Sequence, residues 1–315
     1  MLAVHLENGA VRTVDVERPE RPKGFALLRL LCAGICNTDL ELLRGYYGFS
    51  GIPGHEFVAE VVESDTPPLA GKRVVGEINF ACHQCEWCRK ELGRHCPTRT
   101  VLGIVKQPGA FEELFVVPER NLHIVPDAVP NHRAVFTEPL AAACEILDQV
   151  SIPCGTRVGV LGDGKLGLLI AQVLNANGYP VYLFGRHEDK LRIAAASGVA
   201  TSLGDSLPAA FDWIVDATGR PDGLRQAVAM VRPRGTLIMK STLHGLIPVD
   251  AAPIIVNELT LVGSRCGRFE AALPLLDHEL IRVEEMIAAR YPLSEAAQAF
   301  AHASRPGTLK VLLYP

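Results

Sequence analysis

Short apolar runs punctuated by glycine and proline fill the first third of the chain, and each has the length of a strand. Residues 26–32, 57–62 and 73–77 carry three of them, and 109–117 and 122–125 carry two more. A largely β domain is therefore expected over residues 1–137. From about Pro139 the pattern changes. Thr137 is placed to cap a helix with its body at 140–150, and Pro139 sits early, where its missing N–H does no harm. Strand-length runs at 157–161, 181–184, 213–216, 236–239 and 259–262 follow, with helical stretches at 165–176 and 188–196. Strands alternating with helices need crossover connections and hence a parallel sheet, so an α/β domain is expected over 138–265. The remaining segment, 266–315, ends in a strand at 310–314 that can return to the first domain.

Composition narrows the function. A chain of 315 residues supports about two domains with separate cores. The 31 basic and 35 acidic residues leave no electrostatic footprint for nucleic acid. No membrane-length apolar run appears, and the first twenty residues lack the charged-then-apolar order of a signal peptide. The chain reads as soluble and cytoplasmic. Four of the nine cysteines fall in one short stretch. The others, Cys32, Cys36, Cys144, Cys154 and Cys266, lie mostly in apolar contexts suited to reduced, buried thiols.

That stretch holds Cys82, Cys85, Cys88 and Cys96, spaced C-x2-C-x2-C-x7-C. Zinc–sulfur bonds of about 2.3 Å draw four short side chains onto one point, which is what such crowding permits. A thiol–disulfide motif uses two cysteines, not four. An iron–sulfur cluster also takes four thiolates, and Cys96-Pro97 echoes its usual proline, but its run is more closely spaced. Structural zinc is therefore expected at Cys82, Cys85, Cys88 and Cys96. A staple of this kind holds a lobe and performs no chemistry.

Between the strand at 157–161 and the helix at 165–176 lies Gly162-Asp163-Gly164-Lys165-Leu166-Gly167. G-x-G-x-x-G is weak alone, but here a strand precedes it, a helix follows, and a second strand ends about twenty residues later. Gly162 permits the turn, Gly164 lets pyrophosphate approach, and Gly167 lets helix pack on strand. The second strand ends in Gly185-Arg186-His187, where an NAD site usually carries Asp or Glu. Without that carboxylate, and with a guanidinium beside it, NADP is expected over NAD, which remains usable. Replacing Gly185 by Asp is then expected to reverse the preference. The lesser alternative for Arg186 is an exposed loop residue.

A third group lies upstream: Cys36 in Gly34-Ile35-Cys36-Asn37-Thr38-Asp39, and His55-Glu56 after Pro53-Gly54. With Glu138 these offer sulfur, nitrogen and carboxylate donors suited to zinc with one position open. Here the chain resembles the zinc-dependent medium-chain dehydrogenases/reductases of the alcohol dehydrogenase superfamily, and within them the polyol and threonine dehydrogenase branch. The residues that carry the likeness are G-I-C-N-T-D, P-G-H-E, the four-cysteine lobe, T-E-P-L around Glu138 and G-D-G-K-L-G, with smaller matches through to Tyr291-Pro-Leu-Ser294. The resemblance implies a doubly wound Rossmann sheet inserted into a partly β GroES-like catalytic domain, and a homodimer or homotetramer paired through the edge strand at 259–262. It implies two zinc ions per chain. Cys36 and His55 hold the catalytic one, with Glu56 and Glu138 in or next to its shell. It also implies that zinc activates a substrate hydroxyl, that hydride passes to the nicotinamide, and that Thr38 begins proton removal. His187, Lys190, Thr218, Ser264 and Arg265 complete the expected cofactor contacts.

Departures bear on the substrate. Glu41 stands where relatives commonly carry histidine, either relaying protons or sitting solvated on the surface. Eighteen residues separate Cys36 from His55, and among them Tyr46, Tyr47 and Phe49 either wall a pocket or pack under a loop. Arg265 either favours a polar or anionic substrate or contacts the cofactor. The expected activity is oxidoreduction of a primary or secondary alcohol or polyol, a small-molecule substrate. The alternatives are a biosynthetic carbonyl or activated-alkene reductase on the same scaffold, and a non-catalytic nucleotide-binding or redox-sensing protein.

Overall fold

A computed structural model describes residues 1–204, 211–242 and 248–315. The chain divides into two compact units: Met1–Glu138 with Ile287–Pro315, and Pro139–Met286. The second break falls about twenty residues later than the sequence suggested. Its cause is the helix Phe269–Asp277, whose Phe269, Ala272, Leu273 and Leu276 are buried. Gly267 meanwhile lies against the Ala141 carbonyl of the same unit.

The first unit is built on a seven-stranded sheet in the order Ile287–Pro292, Lys310–Tyr314, Phe25–Ile35, Glu56–Glu63, Arg73–Gly76 and Leu122–Ile124, with Leu114–Pro118 also pairing Phe25–Ile35. Lys310–Tyr314 does return, antiparallel to Phe25–Ile35 with Leu312 opposite Gly34. Phe25–Ile35 is buried on both faces for most of its length, which explains a nearly continuous apolar run in place of alternation. The strand expected from 109 begins only at Leu114. Residues 109–111 bond instead to the 52–54 turn, with Phe111 N–H donating to Pro53 O at 3.1 Å.

The second unit carries a six-stranded parallel sheet. Its order is Ala200–Leu203, Val181–Gly185, Val158–Leu161, Phe211–Asp216, Val231–Met239 and Thr260–Gly263. Leu161, Phe184, Ile214 and Leu237 meet Leu224 and Met230 of the helix Gly223–Met230 in one apolar cluster. The helix Lys165–Ala176 spans the expected residues, and eight of its twelve are buried. Thr137 does not cap its helix. It is the first helical residue, and its hydroxyl donates to Ala134 O at 2.6 Å, continuing the turn Asn131–Ala134. Cys32 and Cys144 are buried as expected, whereas Cys154 is exposed beside Pro153 and Gly155. Among the described residues no helix is long and apolar enough to cross a membrane.

Candidate active site and cofactor turn

Three neighbouring strands assemble the first cluster. Phe25–Ile35 delivers Cys36 from its C-terminal end, and Glu56 pairs across from Gly34 at the start of the next strand. Lys310–Tyr314 lies on the other side of Phe25–Ile35. Gly34 is needed between them, because a Cβ there would enter the Glu56 carboxylate. Cys36 then caps the helix Asn37–Leu43, and the Asp39 carboxylate accepts the Cys36 backbone N–H at 2.8 Å. The other Asp39 oxygen lies 3.3 Å from His55 Nδ1. Both atoms are buried without a hydrogen bond, and a carboxylate beside Nδ1 would leave the far ring nitrogen for a metal.

Donor atoms of Cys36, His55 and Glu56 all lie within 4.8 Å of one another. Glu56 Oε1 is buried and takes no hydrogen bond, an arrangement that a cation would satisfy. Three protein donors of this mixed type fit a zinc site that keeps a position open. Glu138 is not in that close group. Its charge acts on Lys310, alongside Glu56 and Cys36. Lys310 is 1 % exposed, donates to Glu56 Oε2, and sits 5.6 Å from the centre of the Phe136 ring. Burial alone would lower the Lys310 pKa, but Glu56 and Cys36 outweigh it and hold the ammonium above its ordinary range. Burial likewise opposes protonation of His55, and Asp39 and Cys36 reverse the sign. Thr38 Oγ1 is 3.8 Å from Cys36 Sγ. Glu41 is tied to Arg44 at 2.6 Å. Tyr46 and Tyr47 stack with ring centroids 4.1 Å apart, and Tyr47 is exposed with φ 59.

The four-cysteine lobe closes on itself. Cys82 to Cys88 is 3.9 Å and Cys85 to Cys88 is 3.5 Å, sulfur to sulfur. Zinc–sulfur bonds of about 2.3 Å at tetrahedral angles give roughly 3.8 Å, so the cage has the size of that ion. The Thr98 hydroxyl and the Cys82 N–H draw the Cys96 pKa down to about 6, favouring its thiolate.

In the second unit, Gly162 follows the strand Val158–Leu161 with φ 116, where a Cβ would come 2.7 Å from Ala217 O. Gly164 caps the helix Lys165–Ala176 and faces open space, as a phosphate approach requires. Gly167 packs directly on the Gly162 carbonyl. The slot at Gly185 holds a surprise. A Cβ there would lie 2.5 Å from Asp163 Cβ and 2.6 Å from its Oδ2. Asp163 Oδ2 accepts the backbone N–H groups of Arg186 and His187 at 2.6 and 2.7 Å, and lies 3.0 Å from His187 Nδ1. A carboxylate has therefore entered the slot from the turn, and Gly185→Asp would collide with it. The simple reversal expected from the sequence does not follow. Arg186 is exposed, 3.9 Å from Asp222, which Arg220 grips at 2.9 and 3.1 Å. An open cleft of about 470 Å³ adjoins Asp222 and Arg225.

Other expected contacts are placed variously. Thr218 binds Asp216 through N–H and hydroxyl at 3.0 and 2.8 Å. Lys190 is buried in the helix Glu188–Ala195. Ser264 and Arg265 are held by a residue that motif matching passed over: Lys240 donates to Ser264 Oγ and Arg265 O at 3.0 Å each, and to Ala142 O at 2.5 Å. Lys310 and Asp39 also went without assigned roles. A lysine opening an otherwise apolar strand was the available signal for Lys310, since lysine is almost never fully buried unless paired.

Comparison with known proteins agrees with this geometry. Residues 22–127 match the alcohol dehydrogenase GroES-like domain, and 166–278 the zinc-binding dehydrogenase domain. D-altritol 5-dehydrogenase of Agrobacterium fabrum is 32% identical over 97% of both chains. The RspB alcohol dehydrogenase of E. coli CFT073, complexed with NADH, superposes with a TM-score of 0.90 at 26% identity, covering 100% of this chain and 99% of that one. A zinc-binding dehydrogenase from Sinorhizobium meliloti 1021, bound to NADP, gives 0.89 at 28% identity with the same coverage. With a GroES-like unit, a parallel dinucleotide-binding sheet, two zinc-type donor sets and these relatives, the chain belongs to the zinc-dependent, NAD(P)-dependent medium-chain dehydrogenases of the alcohol dehydrogenase superfamily.

Proposed function

We propose that this chain oxidises a primary or secondary alcohol, and foremost a polyol, preferring NADP while also using NAD. The observation that carries the reading is the buried Cys36–His55–Glu56 group with its unsatisfied Glu56 oxygen. The relative acting on D-altritol supports a polyol as substrate. Cys36, His55 and Glu56 would hold zinc, which supplies Lewis-acid polarisation of a hydroxyl when bound. The nicotinamide supplies the hydride acceptor.

The chain's own residues do the rest. Asp39 fixes the His55 ring. Lys310 holds one Glu56 oxygen, leaving the other for the cation. Thr38 offers a hydroxyl beside Cys36 that would accept the substrate proton while releasing its own toward solvent. Glu138, a second carboxylate acting on Lys310, can exchange with Glu56 as its partner. Arg186 and Arg220 meet a 2′-phosphate, and Lys240 holds the Ser264 hydroxyl and the Arg265 carbonyl.

Assembly as a homodimer or homotetramer is supported by the edge strand Thr260–Gly263 and by Ile255 and Val256, 73% and 78% exposed beside it. A monomer in light scattering at micromolar concentration would reject that. The function is tested by zinc content together with NADPH absorbance across polyols, amino alcohols and aryl alcohols. Two zinc ions per chain and turnover of a polyol are expected. One zinc ion, or no turnover of any alcohol, would overturn it.

A further inference from the structure

We infer that Asp163 is the ribose-selecting carboxylate of this site, supplied by the glycine-rich turn in place of the strand end. The inference rests on the NAD(P) reading of that turn and deepens it. A carboxylate at the end of the second strand accepts the ribose hydroxyls of NAD, and an arginine there accommodates the 2′-phosphate of NADP. This chain holds both. Asp163 fills the volume a side chain at 185 would need, and a residue there could be nothing larger than glycine while it does so. Its bonds from Arg186 N–H, His187 N–H and the His187 ring all converge on Oδ2. Oδ1 takes no hydrogen bond from the described residues, although the side chain is nine-tenths buried.

Two consequences follow for the nucleotide. The backbone amides of 186 and 187 are already used by Asp163, so they are not offered to a phosphate. A 2′-phosphate must rely on guanidinium groups alone, and these carry their own counter-ion in Asp222. Asp163 Oδ1 remains as acceptor for the 2′- and 3′-hydroxyls of NAD. The two selectors oppose each other: Arg186 raises NADP use, Asp163 raises NAD use, and the preference is their difference.

The test is Asp163→Asn, which keeps the shape and an oxygen for the amides but removes the charge. Hydrogen bonds to a charged group carry about tenfold or more in affinity. The ratio of kcat/KM for NADP over NAD should therefore rise about tenfold. In calorimetry 5′-AMP should bind more weakly, while 2′,5′-ADP should bind as well or better. Moving the carboxylate back, in Asp163→Ser with Gly185→Asp, should return the ratio toward wild type, whereas Gly185→Asp alone should impair both cofactors. Equal weakening of both fragments by Asp163→Asn would reduce Asp163 to a support for the turn and overturn the proposal. If neither fragment bound the wild type, the cofactor reading itself would fail, and the proposal with it.

Discussion

Two cysteine-bearing clusters occupy the same unit and are built in opposite ways. The lobe draws four identical donors from fifteen consecutive residues, with short turns doing the folding and no long-range pairing needed. The Cys36 centre takes three different donors from the ends of two strands and adds Lys310, which is 254 positions from Glu56. Four equal thiolates close a tetrahedron and leave nothing for a substrate; three unequal donors leave a position open. The contrast extends to charge. The Cys36 centre buries an ammonium and a carboxylate together, and the balance between that pair and a cation decides what Glu56 can do.

Deleting one candidate donor from each cluster should give the largest and most different effects. Cys36→Ser should lower kcat/KM by at least about a thousandfold, since Lewis-acid stabilisation amounts to several kcal/mol. Cys85→Ser should instead lose the other zinc ion and lower thermal stability, because a structural metal contributes directly to folding. Atomic emission on both variants decides it: each should retain one zinc ion per chain. If either lost both, the two clusters would be one cooperative unit.

Lys310→Met sharpens the role of the buried pair. Removing one partner of a buried ion pair leaves the other charge uncompensated, at about 3–5 kcal/mol. Denaturant unfolding should show a loss of that order, and Glu56→Gln added to Lys310→Met should recover part of it. Stability equal to wild type in the single variant would show that Glu56 does not depend on Lys310.

A smaller effect separates Glu56 from a buried carboxyl without a cation. Burial pushes the Glu112 pKa up to about 8 from 4.5. The fold thus favours the neutral acid, so the stability it contributes is present at low pH and lost as pH rises from about 4.5 toward 8. At pH 7 the penalty is on the order of 3 kcal/mol. Glu112→Gln should raise the melting temperature at pH 7.5 and leave it nearly unchanged at pH 4.5. An equal change at both pH values would refute the charge argument.

Much of this was legible from the residues alone, where the information is local. The four-cysteine spacing, the helix Lys165–Ala176 and the strand Lys310–Tyr314 follow from neighbours in sequence, and the structure has these two elements with the same bounds. Glycines in the turn were legible too, because backbone constraints at Gly162 act over a few residues. The helix Asn37–Leu43 inside the β-rich region was missed, although the Cys36–Asp39 capping box is itself local. What escaped otherwise depends on register. No spacing rule says that Lys310 will lie two strands from Glu56 with its ammonium on that carboxylate. Nor does a glycine at 185 reveal whether its missing side chain leaves a gap or makes room for another.

The family, the sheet type and the candidate donors were legible in the residues, because these depend on residue kind and short-range order. Three contacts came from the fold alone: Glu56 and not Glu138 lies close to Cys36 and His55, Lys310 pairs with it, and the carboxylate beside the Arg186 amide is that of Asp163. Each of those is a contact between distant segments, set by strand pairing and by the volume one side chain leaves for another.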